Sequence, residues 1–382
     1  MTIKYYLDHV KNNRFTVLGN NDLLWKKLND IYIVVFRLRP KDKQFSRFLT
    51  MDFNFRKNCL GLLIFDKNTI YLQPDNYYGI NHNELHKDDY NNAVKNSEEI
   101  IKVLNETKLG YIDIDEPLIS ALPFGNGNFG HAMCTYISIF NMIDKFDKDK
   151  TKKIVHFSIT PHIDELVSLC TENERMILNN YDCIYHFKEI YWYQKRYVMY
   201  PNSCLKFIIS KVMNKINSSE IKKEIAIIAT TKNSTSLKVN TKKALDYDKI
   251  SKILKSFNIH IIEHESMKFK DILKYIKNCD EILLTWGAIS YYGIFLRNSQ
   301  KAKIMFMSSY GKKQYENINI CFNNELFSNY TISHMINPKL CDSDITKITR
   351  LLTFKGSCHR IPHDNLHFAT GNVYTLTVYI PI

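Results

Sequence analysis

Two stretches of this chain carry residue types and spacings suited to chemistry. The first reads Gly125-Asn-Gly-Asn-Phe-Gly-His131. Glycines, asparagines and a histidine directly before a helix-compatible run can form a cleft wall with a polar base. A histidine at a helix start is kept neutral by the helix dipole and so can accept a proton. His131 is therefore the candidate general base, with Asn126 and Asn128 beside it on the cleft wall. The spacing also fits G-x-G-x-x-G, but Pro123 stands where the preceding strand would end, so dinucleotide binding lacks its structural setting. A turn leading into a helical histidine uses the same residues.

The second stretch runs from Asp280 to Phe295 as D-E-I-L-L-T-W-G-A-I-S-Y-Y-G-I-F. Apolar Ile282 to Trp286 reads as a buried strand that stops at Gly287, and Ala288 and Ser290 open a helix-compatible segment. A glycine there lets a ligand approach the backbone, and the helix directs its first N–H groups at an anion. Gly287, Ala288 and Ser290 are thus candidate diphosphate contacts. Two neighbouring loops add to them. Lys232, Ser234 and Thr235 follow the strand Glu224 to Thr230, and a lysine with hydroxyls can hold phosphate oxygens. Glu263 and His264 end the next strand, where a carboxylate can take ribose hydroxyls and an imidazole can touch the base or diphosphate. Each of these loops also reads as an ordinary polar strand exit.

Metal chemistry finds little support. Asp113-Ile-Asp115 could hold a divalent ion, but the same triplet recurs at Asp147, Asp246 and Asp342, and Pro117 suits a plain strand exit. His359, His363 and His367 are four apart, yet Pro362 breaks the helix that would align them. His156 and His162 flank a strand end and Pro161 and read as structural or cleft-lining. The site is expected to hold no metal and no cofactor.

The elements that must position these residues are clearest in the C-terminal half. Short apolar strands at Glu224–Thr230, Ile259–Glu263, Glu281–Trp286 and Lys303–Met307 alternate with helical patterns over Tyr247–Phe257, Phe269–Cys279 and Ser290–Arg297. That alternation predicts βαβ units and a parallel sheet. The N-terminal half is less regular. Strands are expected at Ile31–Phe36, Leu60–Phe65, Thr69–Leu72, Tyr111–Ile114, Ile154–Ser158 and Asp182–Tyr185, and helices at His131–Ile143, His162–Asn179 and Pro201–Asn217. Ser343–Phe354 reads as a helix and Tyr374–Ile380 as a strand. The best boundary is Asn217-Ser-Ser219. It divides the chain into an acceptor-side α/β domain (1–217), a nucleotide-binding domain (218–336) and a helix and tail packing back across both (337–382). The expected fold is α/β, with two Rossmann-like domains facing a cleft.

With 382 residues, 45% of them hydrophobic and 13% aromatic, the chain can bury two cores. Its net charge of +13 suits an anionic partner. The densest basic run, Lys145 to Lys153, is interrupted by acidic residues and reads as a solvated loop, so nucleic acid is not the expected partner. The basic surface leaves peripheral contact with an acidic membrane open. Nine cysteines without a C-x-x-C pair predict free thiols in a reducing compartment. Met1 to Leu18 lacks the apolar core of a signal peptide, so a cytoplasmic location is expected.

The segment Glu263 to Phe295 resembles the glycosyltransferase family 61 pattern: a Glu-containing strand exit, a short helix, an apolar strand, then G-A and another helix. Asn128-Phe-Gly-His131 is similar to the histidine that leads into a helix in the family's N-terminal half. Trp286 stands where the family usually has histidine, Thr135 where an acidic residue is common, and Lys232 in place of an arginine. The resemblance implies a GT-B fold, a nucleotide-sugar donor in the C-terminal domain and inversion at the anomeric carbon. It also implies a glycan or protein hydroxyl as acceptor, with no metal required. On that pattern the helix start after Gly287 and Lys232 steady the leaving diphosphate, and His131 takes the proton. Trp286 and Thr135 also fit an alternative, a non-catalytic glycan- or nucleic-acid-binding protein on a transferase-like fold.

Overall fold

The computed structural model describes residues 14–17, 25–38, 50–52, 59–67, 69–72, 108–122, 129–157, 160–180, 182–193, 205–217, 224–230, 244–264, 266–308, 330–333 and 336–355. The chain divides into two compact units, Met1–Met199 and Tyr200–Ile382. The first is built on a mixed ten-stranded sheet and the second on a wholly parallel five-stranded one.

In the first unit, β1 (Arg14–Val17), β2 (Trp25–Leu38), β3 (Thr50–Asp52), β4 (Cys59–Phe65) and β5 (Thr69–Leu72) form one wing. Pairing there is antiparallel except between β1 and β5. The other wing is parallel: β6 (Gly110–Ile114), β7 (Leu118–Ala121), β8 (Lys153–Phe157), β9 (Arg175–Leu178) and β10 (Cys183–Tyr193). Strand β10 joins the wings. It runs antiparallel to β2 along one edge and parallel to β6, then β7, along the other.

Helix α1 (Phe129–Phe146) links β7 to β8, and α2 (Pro161–Cys170) links β8 to β9. Residues Ala132 to Asn141 of α1 are all buried, including the polar Thr135, Ser138 and Asn141. A helix apolar nearly all round belongs inside a core rather than on a surface. Beneath the sheet, Ile33, Ile64, Leu118, Val155, Phe187 and Trp192 share one apolar cluster.

Helix α2 stops at Cys170, well short of the expected Asn179. Its start is capped by Thr160 Oγ1, which accepts the Ile163 N–H, and Pro161 is its first residue. Its end is set by side chains. The Thr171 hydroxyl donates to Asn173, whose amide donates to Asp147 and to Lys152 O. That anchorage turns the chain out of the helix and frees Arg175–Leu178 to pair as β9.

The second unit contains β11 (Glu224–Ile227), β12 (His260–Ile262), β13 (Glu281–Thr285), β14 (Lys301–Met305) and β15 (Tyr330–Ile332). Its helices are α3 (Lys206–Asn214), α4 (Tyr247–Ser256), α5 (Phe269–Asn278) and α6 (Asp342–Thr353), with a 3-10 helix at Ala288–Phe295. Strand order is β12-β11-β13-β14-β15. The chain therefore moves one way from β11 to β12, then reverses past β11 to β13. Ala226, Leu283 and Met305 share a cluster with Ile250 and Leu254 of α4 and Ile348 and Leu351 of α6. The alternate residues Ile225, Ile227, Ile282, Leu284 and Ile304 are buried on the opposite face. There α5 and the 3-10 helix meet ring to ring, with Phe269 5.9 Å from Tyr292 and 5.8 Å from Phe295.

The division near residue 200 puts α3 in the second unit, earlier than the expected boundary at Asn217. The Lys277 ammonium on α5 donates to the carbonyls of Met213 and Ile216, which binds the end of α3 to that unit. Helix α6 lies under the parallel sheet. Lys303 of β14, only 4% exposed, pairs with Glu281 at 2.6 Å and donates to Leu352 O at 2.8 Å. The strand expected over Tyr374–Ile380 lies outside the described residues. Among the described residues Cys134, Cys170, Cys183, Cys279 and Cys341 are free thiols, and no helix is long and apolar enough to cross a membrane.

Candidate functional site

The reversal of direction in the second unit gives it a topological switch point between β11 and β13. In open α/β sheets, ligands settle at the carboxyl ends of strands beside such a point. The chain leaves β11 toward α4 on one face and leaves β13 toward the 3-10 helix on the other, so two adjacent exits diverge there.

The two exits are tied together at their base. The Ala229 N–H donates to Thr285 Oγ1 at 3.0 Å, and Ala229 O accepts the Leu245 N–H at 2.9 Å. Thr285 is buried at 1% exposure and Thr230 at 3%. One residue further, the Trp286 N–H donates to Met305 O at 2.8 Å, extending the pairing of β13 with β14. At Gly287 the backbone then turns with φ 118° and ψ −147°, a region essentially restricted to glycine.

Gly287 O accepts both the Ser290 N–H at 3.1 Å and the Ser290 hydroxyl at 2.7 Å. Ser290 is fully buried, so its hydroxyl fixes the turn from within. The segment that follows is a 3-10 helix of eight residues, where an α-helix from Ser290 to Arg297 was expected. Runs of 3-10 helix beyond three or four residues are uncommon. Here Ile289 to Phe295 are all buried, so packing constrains the segment on every side. Gly287 and Ala288 themselves are only partly buried.

Glu263 and His264 leave β12 on the far side of β11 and are also partly buried. Glu263 O accepts the N–H and hydroxyl of Ser266, closing a turn. The His264 ring meets Tyr292 of the 3-10 helix edge-on at 5.8 Å. The structure thus brings His264 and the segment after Gly287 to the same end of the sheet. Lys232, Ser234, Thr235, Asn126 and Asn128 lie outside the described residues, as do His359, His363 and His367.

In the first unit, His131 is the third residue of α1, and its side chain is outside the described set. Phe129 meets His162 edge-on at 5.9 Å, which brings the first turns of α1 and α2 together. Thr135, one turn beyond His131, is 5% exposed. His156, near the carboxyl end of β8, is fully buried. Its Nδ1 lies 2.9 Å from Phe157 O, and burial pulls its pKa down, so it is a neutral core histidine.

The Asp113 and Asp115 carboxylates face His186 and Lys188 on β10 rather than each other. Asp113 Oδ1 lies 2.6 Å from His186 Nδ1 and accepts the Tyr111 hydroxyl at 2.9 Å. The His186 contact first, then Tyr111, holds the Asp113 carboxyl below its usual pKa. Asp115 pairs with Lys188 at 2.7 Å. Among the described residues no three His, Cys, Asp or Glu side chains gather as a ligand set.

The basic run Lys145–Lys153 is not the freely solvated loop that its composition suggested. It closes around Asp147, which is 5% exposed. Asp147 accepts the Thr151 N–H and hydroxyl, the Lys152 N–H and the Asn173 amide. Burial raises this carboxyl's pKa. Donors from Lys152, Thr151 and Asn173 outweigh burial, and the net position is below the ordinary range.

Sequence reasoning also passed over Thr285 and Ala229. The one available signal was a hydroxyl at the end of the apolar run Ile282–Leu284. Compared with known proteins, the chain matches no family model and no curated sequence.

Proposed function

We propose that the chain is an inverting glycosyltransferase that takes a nucleotide-sugar donor at the switch point of its second unit. The sugar would pass to a hydroxyl of a glycan or protein. The observation that carries this reading is the Gly287 turn, set beside the reversal between β11 and β13. A glycine at φ 118° leaves room for a phosphate against the backbone, and the N–H groups that open the next helix favour negative charge. The resemblance of Glu263–Phe295 and Asn128–His131 to glycosyltransferase family 61 supports the same assignment.

In this scheme the donor diphosphate lies at Gly287 and Ala288, with Ser290 holding their turn. Lys232, Ser234 and Thr235, which follow β11 in the sequence, supply further phosphate contacts. Glu263 accepts ribose hydroxyls and His264 lies toward the diphosphate or base. The acceptor oxygen attacks the anomeric carbon as the bond to the diphosphate oxygen breaks. The diphosphate leaves with the electron pair, and His131 takes the acceptor proton, with Asn126 and Asn128 as acceptor contacts. A thermal-shift screen against nucleotide sugars and free nucleoside diphosphates tests the reading. Stabilisation by one nucleotide class is expected, and no stabilisation by any of them would remove the transferase assignment.

A further inference from the structure

We infer that Trp286 is the platform on which the base of the bound nucleotide stacks. This inference rests on the switch-point reading above and assigns to that site a residue that the reading leaves unused. Trp286 follows the last residue of β13 and immediately precedes the Gly287 turn. It is partly exposed, whereas Ile282 to Thr285 before it and Ile289 to Phe295 after it are buried. A large aromatic residue less buried than its neighbours therefore stands where β11 and β13 send their exits to opposite faces.

The ring is also held in place. The Trp286 N–H is spent on Met305 O, so the backbone is fixed to β14. Phe306, fully buried at the end of β14, stands 5.8 Å from the indole at an interplanar angle of 38° and backs it from the core side. A partly exposed aromatic side chain with a fixed backbone and a buried aromatic neighbour suits base stacking, because every nucleobase presents a flat π face. The adjacent Gly287 carries no side chain to separate a base on the indole from a phosphate on the backbone.

The chain's other two tryptophans are committed elsewhere. Trp192 is fully buried in the first unit, and Trp25 stacks on Phe146 with centroids 4.7 Å apart. Indole emission from a partly exposed Trp286 can therefore be followed separately, by difference from Trp286→Phe.

Calorimetric titration with uridine, adenosine and guanosine diphosphates, and with inorganic pyrophosphate as the base-free probe, tests the inference on the full chain. At least one nucleoside diphosphate is expected to bind more tightly than pyrophosphate and to quench the emission that Trp286→Phe removes. Trp286→Ala is expected to weaken that nucleoside diphosphate about tenfold, the loss of one base–aromatic stack, and to leave pyrophosphate unchanged. Trp286→Phe, which keeps a ring, is expected to stay within about threefold of the native chain. Equal losses for nucleotide and pyrophosphate would make Trp286 a structural residue and overturn the inference. So would unchanged nucleotide affinity in Trp286→Ala. Pyrophosphate binding without any preference for a base would overturn the stacking role and leave the phosphate site standing. Absence of binding by all four probes would remove both.

Discussion

The Ala229 N–H donates to Thr285 Oγ1 across 3.0 Å, joining the exit of β11 to the last residue of β13. The bond sits at the base of the switch point and holds two strand ends whose continuing chains diverge. It links a local sequence choice, a hydroxyl in an apolar strand, to the placement of two diverging strand exits.

Thr285→Val keeps the shape of the side chain and removes the acceptor. The Ala229 N–H is then left without this partner, and a loss of about 1–3 kcal/mol in unfolding free energy is expected. Thr285→Ser is expected to recover most of it. Urea denaturation of the three proteins checks this, and equal stability of Thr285→Val and the native chain would show that the bond contributes nothing.

Asp147 gives a pH signature. Its folded-state pKa lies below the ordinary carboxylate range. A depressed carboxylate contributes stability that is present above its unfolded pKa of about 3.9 and is lost as pH falls through the folded value. Asp147→Ala is therefore expected to cost about 3 kcal/mol near neutrality, where several donors lose a charged acceptor. The gap to the native chain is expected to narrow on acidification below about pH 4. Unfolding curves from pH 3 to pH 7 measure it. A gap that stays constant over that range would contradict the assignment.

His131→Ala is expected to abolish turnover with a nucleotide-sugar donor while leaving donor affinity intact. General-base catalysis is worth about 10²–10⁴-fold, so the residual rate should fall by at least that range. Donor binding by calorimetry and product release by chromatography separate the two quantities. Retained turnover would exclude His131 as the base.

Much of the second unit was legible because its signals are local. Ile250 and Leu254 in α4, and Ile272, Leu273 and Ile276 in α5, repeat at helical spacing between short apolar strands. The helical period follows from 3.6 residues per turn, and it survives without knowledge of any partner. The first unit was harder for a physical reason. Strand β10 was expected to span four residues but runs for eleven, because Lys188 and Glu189 interrupt its apolar pattern while β2, β6 and β7 supply its pairing. Strand β7 is four residues long, too short for a periodic signal.

The candidate site divides in the same way. Gly287 stood out because glycine between a strand and a helix has a direct backbone meaning, and the structure gives it a positive φ. Asp147 did not, because its burial depends on Asn173, 26 residues away in the chain. The D-x-D at Asp113 offered a metal site on composition alone. His186 and Lys188 on the neighbouring strand pair with those carboxylates instead.

The most direct test of the switch-point site is calorimetric titration of the native chain and of Gly287→Ala with nucleoside diphosphates. A Cβ at φ 118° strains the backbone by about 1–3 kcal/mol and stands where the proposed phosphate would approach. The expected result is saturable binding of at least one nucleoside diphosphate to the native chain. Gly287→Ala should bind it at least tenfold more weakly while retaining a cooperative unfolding transition. Undiminished binding to Gly287→Ala, or no binding to the native chain, would contradict a phosphate site at this turn.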